Sequence, residues 1–303
     1  MIGKRLLVID GGGARGILPA TVLMYIEKVA GRPCHELFDL VCGNSTGGII
    51  ACGIARPMAA TKIRALYSEQ GPEIFRPRWP VYSRWLAAPK YDHRPLETIL
   101  KEKLGSQPFR AAVTRCMVVS YDIRARRPVF FKSWKDGLAM WEVARATSAA
   151  PSYFQPHGDL IDGAMVANNP ALCAFAQARR LWPEHELTIL SLGCGELTRP
   201  LRPAKMKGLL SWAPHLVSGF LDGQSDAVDY QLRTLVLGSN PRIDYHRFQT
   251  RLERASDDLD DVSPGQIAAL IAEAEALIAR RRDELEAVVA KLVVPIQSLD
   301  EAV

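Results

Sequence analysis

The chain has 303 residues, of which 48% are hydrophobic and 23% charged, and its formal net charge is +5. This composition excludes disordered, collagen-like and coiled-coil chains and is typical of a globular protein with a large buried core. The 38 basic and 33 acidic residues are spread too evenly to indicate a nucleic-acid polymer as partner, whereas the mild positive charge suits weak attraction to an anionic membrane surface.

Cysteine usage and hydropathy indicate where the protein works. The six cysteines show no CxxC pair and no zinc-like spacing, so we expect reduced structural thiols in a cytosolic protein. The basic and apolar start of the chain ends at Asp10 after only four apolar residues, which predicts a buried strand and not a signal peptide. No apolar stretch is long enough to span a bilayer. We therefore expect a cytoplasmic protein that reaches membranes only peripherally.

Short apolar segments alternate with amphipathic ones through the first two thirds of the chain. Such alternation predicts a mostly parallel sheet with helices on both faces, an α/β fold of three layers. Strands are predicted over residues 6–10, 38–42, 117–121, 128–132, 160–162 and 187–192. Helices are predicted over residues 17–29, 46–55, 60–70, 95–104, 141–149 and 170–181.

Strand signals become sparse beyond residue 195, and the end of the chain is helical. Ser263 can cap the last helix, and Pro264 suits its first position. Its apolar stripe is wider than a two-residue coiled-coil seam, so the helix is expected to pack on the main domain. We divide the chain into an α/β domain, residues 1–200, and a mainly helical extension packed on it, residues 201–303, and leave the oligomeric state open.

The strongest chemical signal is the sequence Gly43-Asn44-Ser45-Thr46-Gly47, which follows a predicted strand and precedes an apolar helix. In a nucleophile elbow the serine sits at strained backbone angles, and side chains two residues to either side would clash. Gly43 and Gly47 remove that clash. The strand-to-helix context makes Ser45 the candidate nucleophile.

A glycine-rich loop, Asp10-Gly11-Gly12-Gly13-Ala14-Arg15-Gly16, joins the first strand to the first helix. Its backbone N–H groups can point at an anion, either a dinucleotide pyrophosphate or the oxyanion of acyl transfer, and Arg15 adds positive charge. The dinucleotide fingerprint also requires an acidic residue at the end of the second strand, where this chain has Cys42-Gly43-Asn44-Ser45. The oxyanion interpretation is therefore favoured, with Gly12 and Gly13 as donors.

A third element is Asp162-Gly163-Ala164, which follows a short apolar strand. A carboxylate at a strand end, fixed by a tight glycine turn, can face the serine elbow across the sheet edge. Taken alone, Asp-Gly is more often only a turn.

Together these three motifs, in this order, resemble the patatin-like lipid acyl hydrolases. The resemblance spans roughly residues 4–200 and is supported by the segments 71–75, 144–154 and 168–170. It implies a Ser45–Asp162 dyad without histidine, an oxyanion hole at Gly12 and Gly13 with Arg15 nearby, and hydrolysis of phospholipid or other lipid esters. The Asp, Glu, His and Cys residues show no ligand-like clustering in the sequence, so we expect no metal or organic cofactor. The chain departs from the family pattern at two positions, with Asn44 where many members have Thr and Ala164 where many have Gly. Neither position supplies a catalytic side chain, so activity stays expected.

Other functions stay open. His185, His215 and His246 follow the aspartate in the chain, as a Ser-Asp-His esterase would require. A phosphate- or nucleotide-binding module could use the Gly11–Gly16 loop, and a lipid-binding protein could carry a dead site. The sequence does not decide whether a cyclic nucleotide activates the protein. Two stretches, residues 75–86 and 205–212, mix Trp with Arg or Lys and predict contact with a membrane surface.

Overall fold

A computed structural model describes residues 3–77, 88–196 and 209–293, with the backbone alone for residues 209–218. Its strands are β1 Lys4–Ile9, β2 Leu40–Asn44, β3 Arg115–Asp122, β4 Arg127–Lys132, β5 Leu160–Asp162, β6 Leu187–Leu192 and β7 Ile243–Phe248. Its α-helices are α1 Ile17–Ala30, α2 Cys34–Leu37, α3 Thr46–Ala55, α4 Ala60–Ser68, α5 Gly71–Ile74, α6 His93–Leu104, α7 Met140–Thr147, α8 Ala171–Leu181, α9 Leu209–Val236, α10 Pro264–Arg280 and α11 Arg282–Leu292.

The seven strands form one sheet in the order β4-β3-β2-β1-β6-β7, with β5 also paired to β3. Five neighbouring strands are parallel to one another, namely β3, β2, β1, β6 and β7, whereas β4 and β5 are antiparallel to β3. The central strands are almost wholly buried and apolar, as parallel strands covered on both faces require. The predicted mostly parallel sheet is confirmed.

Alternate side chains of β1 enter two separate apolar clusters, one on each face of the sheet. Leu7 and Ile9 join the larger cluster, which α1, α3, α6, α7, α10 and α11 also build. Leu6 and Val8 join the smaller one with residues of α8 and α9. Because successive side chains of a strand point to opposite faces, this division gives the three layers expected from the sequence.

The C-terminal part contains α9, α10 and α11 and, unexpectedly, an edge strand. The Ser263 hydroxyl caps α10 by accepting from Gln266 N at 3.3 Å, and α10 and α11 pack against α1. Strand β7 pairs in parallel with β6 along its whole length. Three consecutive residues of this edge strand are only half-buried, so its sequence, IDYHRF, can be polar at several positions. The apolar run that predicts a buried strand is therefore absent. The division at residue 200 remains a prediction.

All six cysteines are free thiols, and five of them are buried. Among the described residues no helix combines the length and the apolar character needed to cross a membrane. The two Trp-containing stretches predicted to contact membranes, residues 75–86 and 205–212, lie largely outside the described residues.

Candidate active site

Strand register brings Ser45 and Asp162 together. On one edge of β3, β2 pairs as far as Val119, which is opposite Asn44. Strand β5 continues along β3 from the next residue, Ser120, which is opposite Asp162. Because β5 runs antiparallel to β3 and β2 runs parallel to it, the C-terminal ends of β2 and β5 meet. Ser45, directly after β2, therefore faces Asp162, although 117 residues separate them in the chain.

The two side chains form a hydrogen bond in which Ser45 Oγ donates to Asp162 Oδ2 at 2.6 Å. The other carboxylate oxygen, Oδ1, accepts from the Ala164 N–H at 2.8 Å, which fixes the orientation of the carboxylate. Asp162 is 3% exposed, and its burial raises the pKa to about 6, although the hydrogen bonds from Ser45 and Ala164 act in the opposite direction. The carboxyl thus has the proton affinity of a base that works near neutral pH.

The backbone at Ser45 is strained, with φ 52° and ψ −124°. A Cβ atom on Gly43 would lie 2.0 Å from the carbonyl oxygen of Gly47, and one on Gly47 would lie 2.2 Å from that of Ile9. Glycine at both positions therefore permits the tight turn, as the elbow hypothesis expects. The turn is also held from α7: the Thr147 hydroxyl accepts from the Ser45 N–H at 2.8 Å.

The glycine loop presents two unused N–H groups beside this serine. Gly11 N–H donates to the Asn168 carbonyl at 3.0 Å, and Ala14 N–H donates to the Leu259 carbonyl at 2.7 Å. Between them, the N–H groups of Gly12 and Gly13 have no partner within the described residues. Both glycines line the same cavity as Ser45, where their two free N–H groups can donate hydrogen bonds to an oxyanion.

Arg15 occupies a different place from the one expected. Its side chain is 4% exposed and lines a small second cavity of about 10 Å³, together with Asp10 and Asp222, and it is absent from the described lining of the cavity at Ser45. Its Nε is buried without a partner in the part of the chain that the structure describes. We therefore do not count Arg15 among the oxyanion donors.

The dyad opens into a cavity of about 320 Å³. Apolar side chains of several helices and loops dominate its described lining: Ile49, Leu66, Ile74, Phe75, Leu96, Ile99, Leu100, Phe154, Met165, Phe220, Leu221, Leu259 and Val262. Within that lining Asp162 is the one carboxylate, and there is no Lys, Arg, Glu or His. Met165 and Phe220 are 59% and 66% exposed, so they lie where the cavity meets solvent. Such a cavity can hold a hydrocarbon chain with its ester at Ser45.

Two of the three candidate triad histidines, His185 and His246, are absent from the described lining of the cavity at Ser45. His246, on β7, lies 3.7 Å from Glu284, and His185 follows α8. The side chain of His215 falls outside the described residues. In the described ranges no group of three or more His, Cys, Asp or Glu side chains could hold a metal ion.

Sequence reasoning missed two residues that support the site. Thr147 holds the elbow amide, yet a hydroxyl 102 residues from its partner leaves no local pattern. Asn168 lines the cavity, accepts from the glycine loop through its carbonyl and has an unpartnered, buried Oδ1 among the described residues. The segments that contain Thr147 and Asn168 contributed to the family resemblance without suggesting these contacts.

Comparison with known proteins identifies the family. The family model of the patatin-like phospholipases matches residues 7–175. Patatin-17 of Solanum cardiophyllum is 32% identical, with 90% of this chain and 83% of that protein aligned, and a protein named probable inactive patatin-3-Kuras 1 of Solanum tuberosum is 30% identical, with 92% and 87% aligned. Among solved structures, VipD from Legionella pneumophila superposes with a TM-score of 0.49 at 12% identity, covering 92% of this chain and 67% of that one. The chain belongs to the patatin-like phospholipase family, as its three motifs predicted.

Proposed function

We propose that the protein is a serine lipid acyl hydrolase of the phospholipase A type, which cleaves acyl esters of membrane lipids through Ser45 and Asp162. The observation that carries the proposal is the 2.6 Å hydrogen bond from Ser45 Oγ to Asp162 Oδ2 at the wall of an apolar cavity. Family membership alone would not suffice, because one similar protein is named probable inactive.

In the first half-reaction Ser45 Oγ attacks the ester carbonyl carbon while Asp162 takes the hydroxyl proton. The carbonyl oxygen becomes an oxyanion, which the free N–H groups of Gly12 and Gly13 stabilise. The intermediate then collapses: the bond to the lysolipid oxygen breaks, and Asp162 returns its proton to that oxygen. The acyl group stays on Ser45 as an ester.

The second half-reaction repeats the first with water as nucleophile. Asp162 accepts a proton from water, the hydroxide attacks the acyl-Ser45 carbonyl, and the same N–H groups bind the oxyanion. Collapse releases the fatty acid, and the proton on Asp162 returns to Ser45 Oγ. One base serves both steps, so the mechanism needs no histidine.

The cavity supports a lipid substrate in preference to a polar one. Its apolar lining suits an acyl chain, and Asp162 as the sole carboxylate in the described lining opposes a bound anionic group near Ser45. A nucleotide-binding role is disfavoured because Gly11 and Ala14, two of the loop amides, already donate to protein carbonyls. Free cysteines and the exposed Phe220 at the cavity mouth support action from the cytoplasm at a membrane surface.

The test is hydrolysis of phospholipid vesicles and of a short p-nitrophenyl ester, with and without cyclic nucleotides. Ser45→Ala and Asp162→Asn should each abolish both activities, and a fluorophosphonate should label Ser45. Ser148→Ala is the matched control, because Ser148 also lines the cavity but its hydroxyl donates to the Ala144 carbonyl at 2.8 Å. Labelling of Ser148, or hydrolysis that survives Asp162→Asn, would refute the dyad.

A further inference from the structure

A buried ion pair joins the glycine loop to the C-terminal part of the chain. Asp10 is the residue between β1 and the loop glycines, and Arg247 lies on the edge strand β7. Arg247 Nη1 donates to Asp10 Oδ1 at 2.9 Å, and Nη2 donates to Oδ2 at 2.5 Å. This bidentate arrangement fixes both the distance and the plane of the carboxylate.

The pair is almost completely removed from solvent, since Asp10 is 1% and Arg247 is 6% exposed. Arg247 Nη1 also donates to Ser191 Oγ at 2.9 Å, which places the guanidinium over β6. Burial raises the pKa of Asp10, and the charge of Arg247 opposes that rise. The charge of Arg15 also lowers the pKa of Asp10, but it acts less strongly than Arg247, so without Arg247 the buried carboxylate beside the loop amides would lose its largest compensating charge.

The loop needs such an anchor because the N–H groups of Gly12 and Gly13, its proposed oxyanion donors, do not fix it through hydrogen bonds of their own. Gly12 and Gly13 keep their N–H groups free within the described residues, so the loop is positioned by contacts on either side of them. Before them, the Asp10 N–H donates to the Leu192 carbonyl at 3.0 Å, the Asp10 side chain binds Arg247, and the Gly11 N–H binds the Asn168 carbonyl. After them, the Ala14 N–H binds the Leu259 carbonyl and the Arg15 N–H donates to the Gly12 carbonyl at 3.1 Å. Among these contacts, the ion pair with Arg247 is the one that fixes a charged side chain.

We propose that Arg247 is a positioning residue for the oxyanion loop, acting through Asp10. The inference rests on the proposed hydrolase function and assigns a part in it to a residue outside the segment 7–175 that the family model matches. Arg247 does two things there. It holds Asp10 so that Gly12 N–H and Gly13 N–H point into the cavity, and it neutralises a carboxylate that would otherwise repel the oxyanion or accept those N–H groups itself.

The experiment measures kcat and KM on a soluble p-nitrophenyl ester for Arg247→Met and Arg247→Lys. Arg247→Met should lower kcat about tenfold to a hundredfold, since a displaced oxyanion donor acts only on the transition state, and should leave KM within about twofold. Arg247→Lys keeps a positive charge beside Asp10 but loses the bidentate geometry, so its kcat should lie between those of the wild type and Arg247→Met. Arg242→Met is the matched control, because Arg242 precedes the same strand with a side chain 69% exposed, and it should match the wild type.

A merely structural role is separated by combining Arg247→Met with Gly12→Val. If Arg247 acts through the loop, adding Arg247→Met to the Gly12→Val variant should lower kcat by less than about twofold further. The loop is already displaced in that variant, so the effects of the two substitutions are not additive. Should Arg247→Met fail to fold, Arg247→Lys carries both measurements.

Each outcome bears on the inference. Wild-type kcat in the folded Arg247 variants, or losses that multiply with Gly12→Val, would overturn it while leaving the hydrolase function standing. A wild-type protein that hydrolyses neither the soluble ester nor phospholipid would overturn both. A fall in kcat alone, not additive with Gly12→Val, supports the inference.

Discussion

Replacing Asp162 with asparagine should stabilise the folded protein while abolishing hydrolysis. The substitution keeps the shape of the side chain and its acceptor for the Ala164 N–H, and it removes the negative charge that burial disfavours. Burial of the charged Asp162 carboxylate lowers the free energy of unfolding, and the same carboxylate is needed as the catalytic base.

The magnitude follows from the pKa. Burial raises the pKa of Asp162 from 3.8 to about 6, and each tenfold change in proton affinity corresponds to about 1.4 kcal/mol. Well below pH 4 the carboxyl is protonated in folded and unfolded chains alike, so its titration contributes no difference between wild type and variant. From pH 4 to 6 the unfolded chain ionises first and the wild type loses stability. Above pH 6 the difference in unfolding free energy levels off at about 3 kcal/mol in favour of Asp162→Asn.

Urea unfolding followed by tryptophan fluorescence, at several pH values between 4 and 8, measures this difference. Asp159→Asn is the control, because the side chain of Asp159 is 54% exposed and lies near the same strand. The reasoning is refuted if the variant is no more stable than the wild type at pH 8, or if its advantage is the same at pH 4. The same carboxyl must be ionised to act as base, so wild-type kcat/KM should rise with pH through about 6.

Three further predictions concern the loop, the cavity and its mouth. Gly12→Val should lower kcat about a hundredfold, because its Cβ would lie 2.4 Å from Cys194 Cβ and displace the loop; adding Cys194→Gly, which removes that Cβ, should recover part of the loss, and no recovery would argue against displacement. Leu100→Trp narrows the cavity, so the ratio of long-chain to short-chain ester hydrolysis should fall at least about tenfold; equal losses on both would place Leu100 away from the acyl chain. Phe220→Ala should weaken vesicle binding, measured by co-sedimentation, and spare the soluble ester, whereas Tyr230→Ala, also exposed on α9, should not; a Phe220 variant that binds vesicles normally would contradict membrane contact there.

Much of the fold could be predicted from the sequence because its signals are local. The predicted strands and helices of the first two thirds differ from the observed ones by at most two residues at either end. Buried parallel strands are short apolar runs, and most of the helices between them are amphipathic, whereas α3 is buried along its whole length. The elbow around Ser45 and the loop from Asp10 to Gly16 were also recognisable, because each is a contiguous stretch whose glycines answer a local steric need.

Only the tertiary structure decided which distant residues complete these motifs. The antiparallel pairing of β5 with β3 sets Asp162 against Ser45, and the folding of α7 sets Thr147 against the elbow amide. Strand β7 escaped prediction because an edge strand needs little apolar surface, and with it the partner of Asp10, Arg247, was missed. Arg15 was expected beside the oxyanion because it is adjacent in sequence, but its side chain lies in a second cavity. Backbone turns follow from neighbouring residues, whereas ion pairs and cavity walls follow from strand order and packing, which no local pattern encodes.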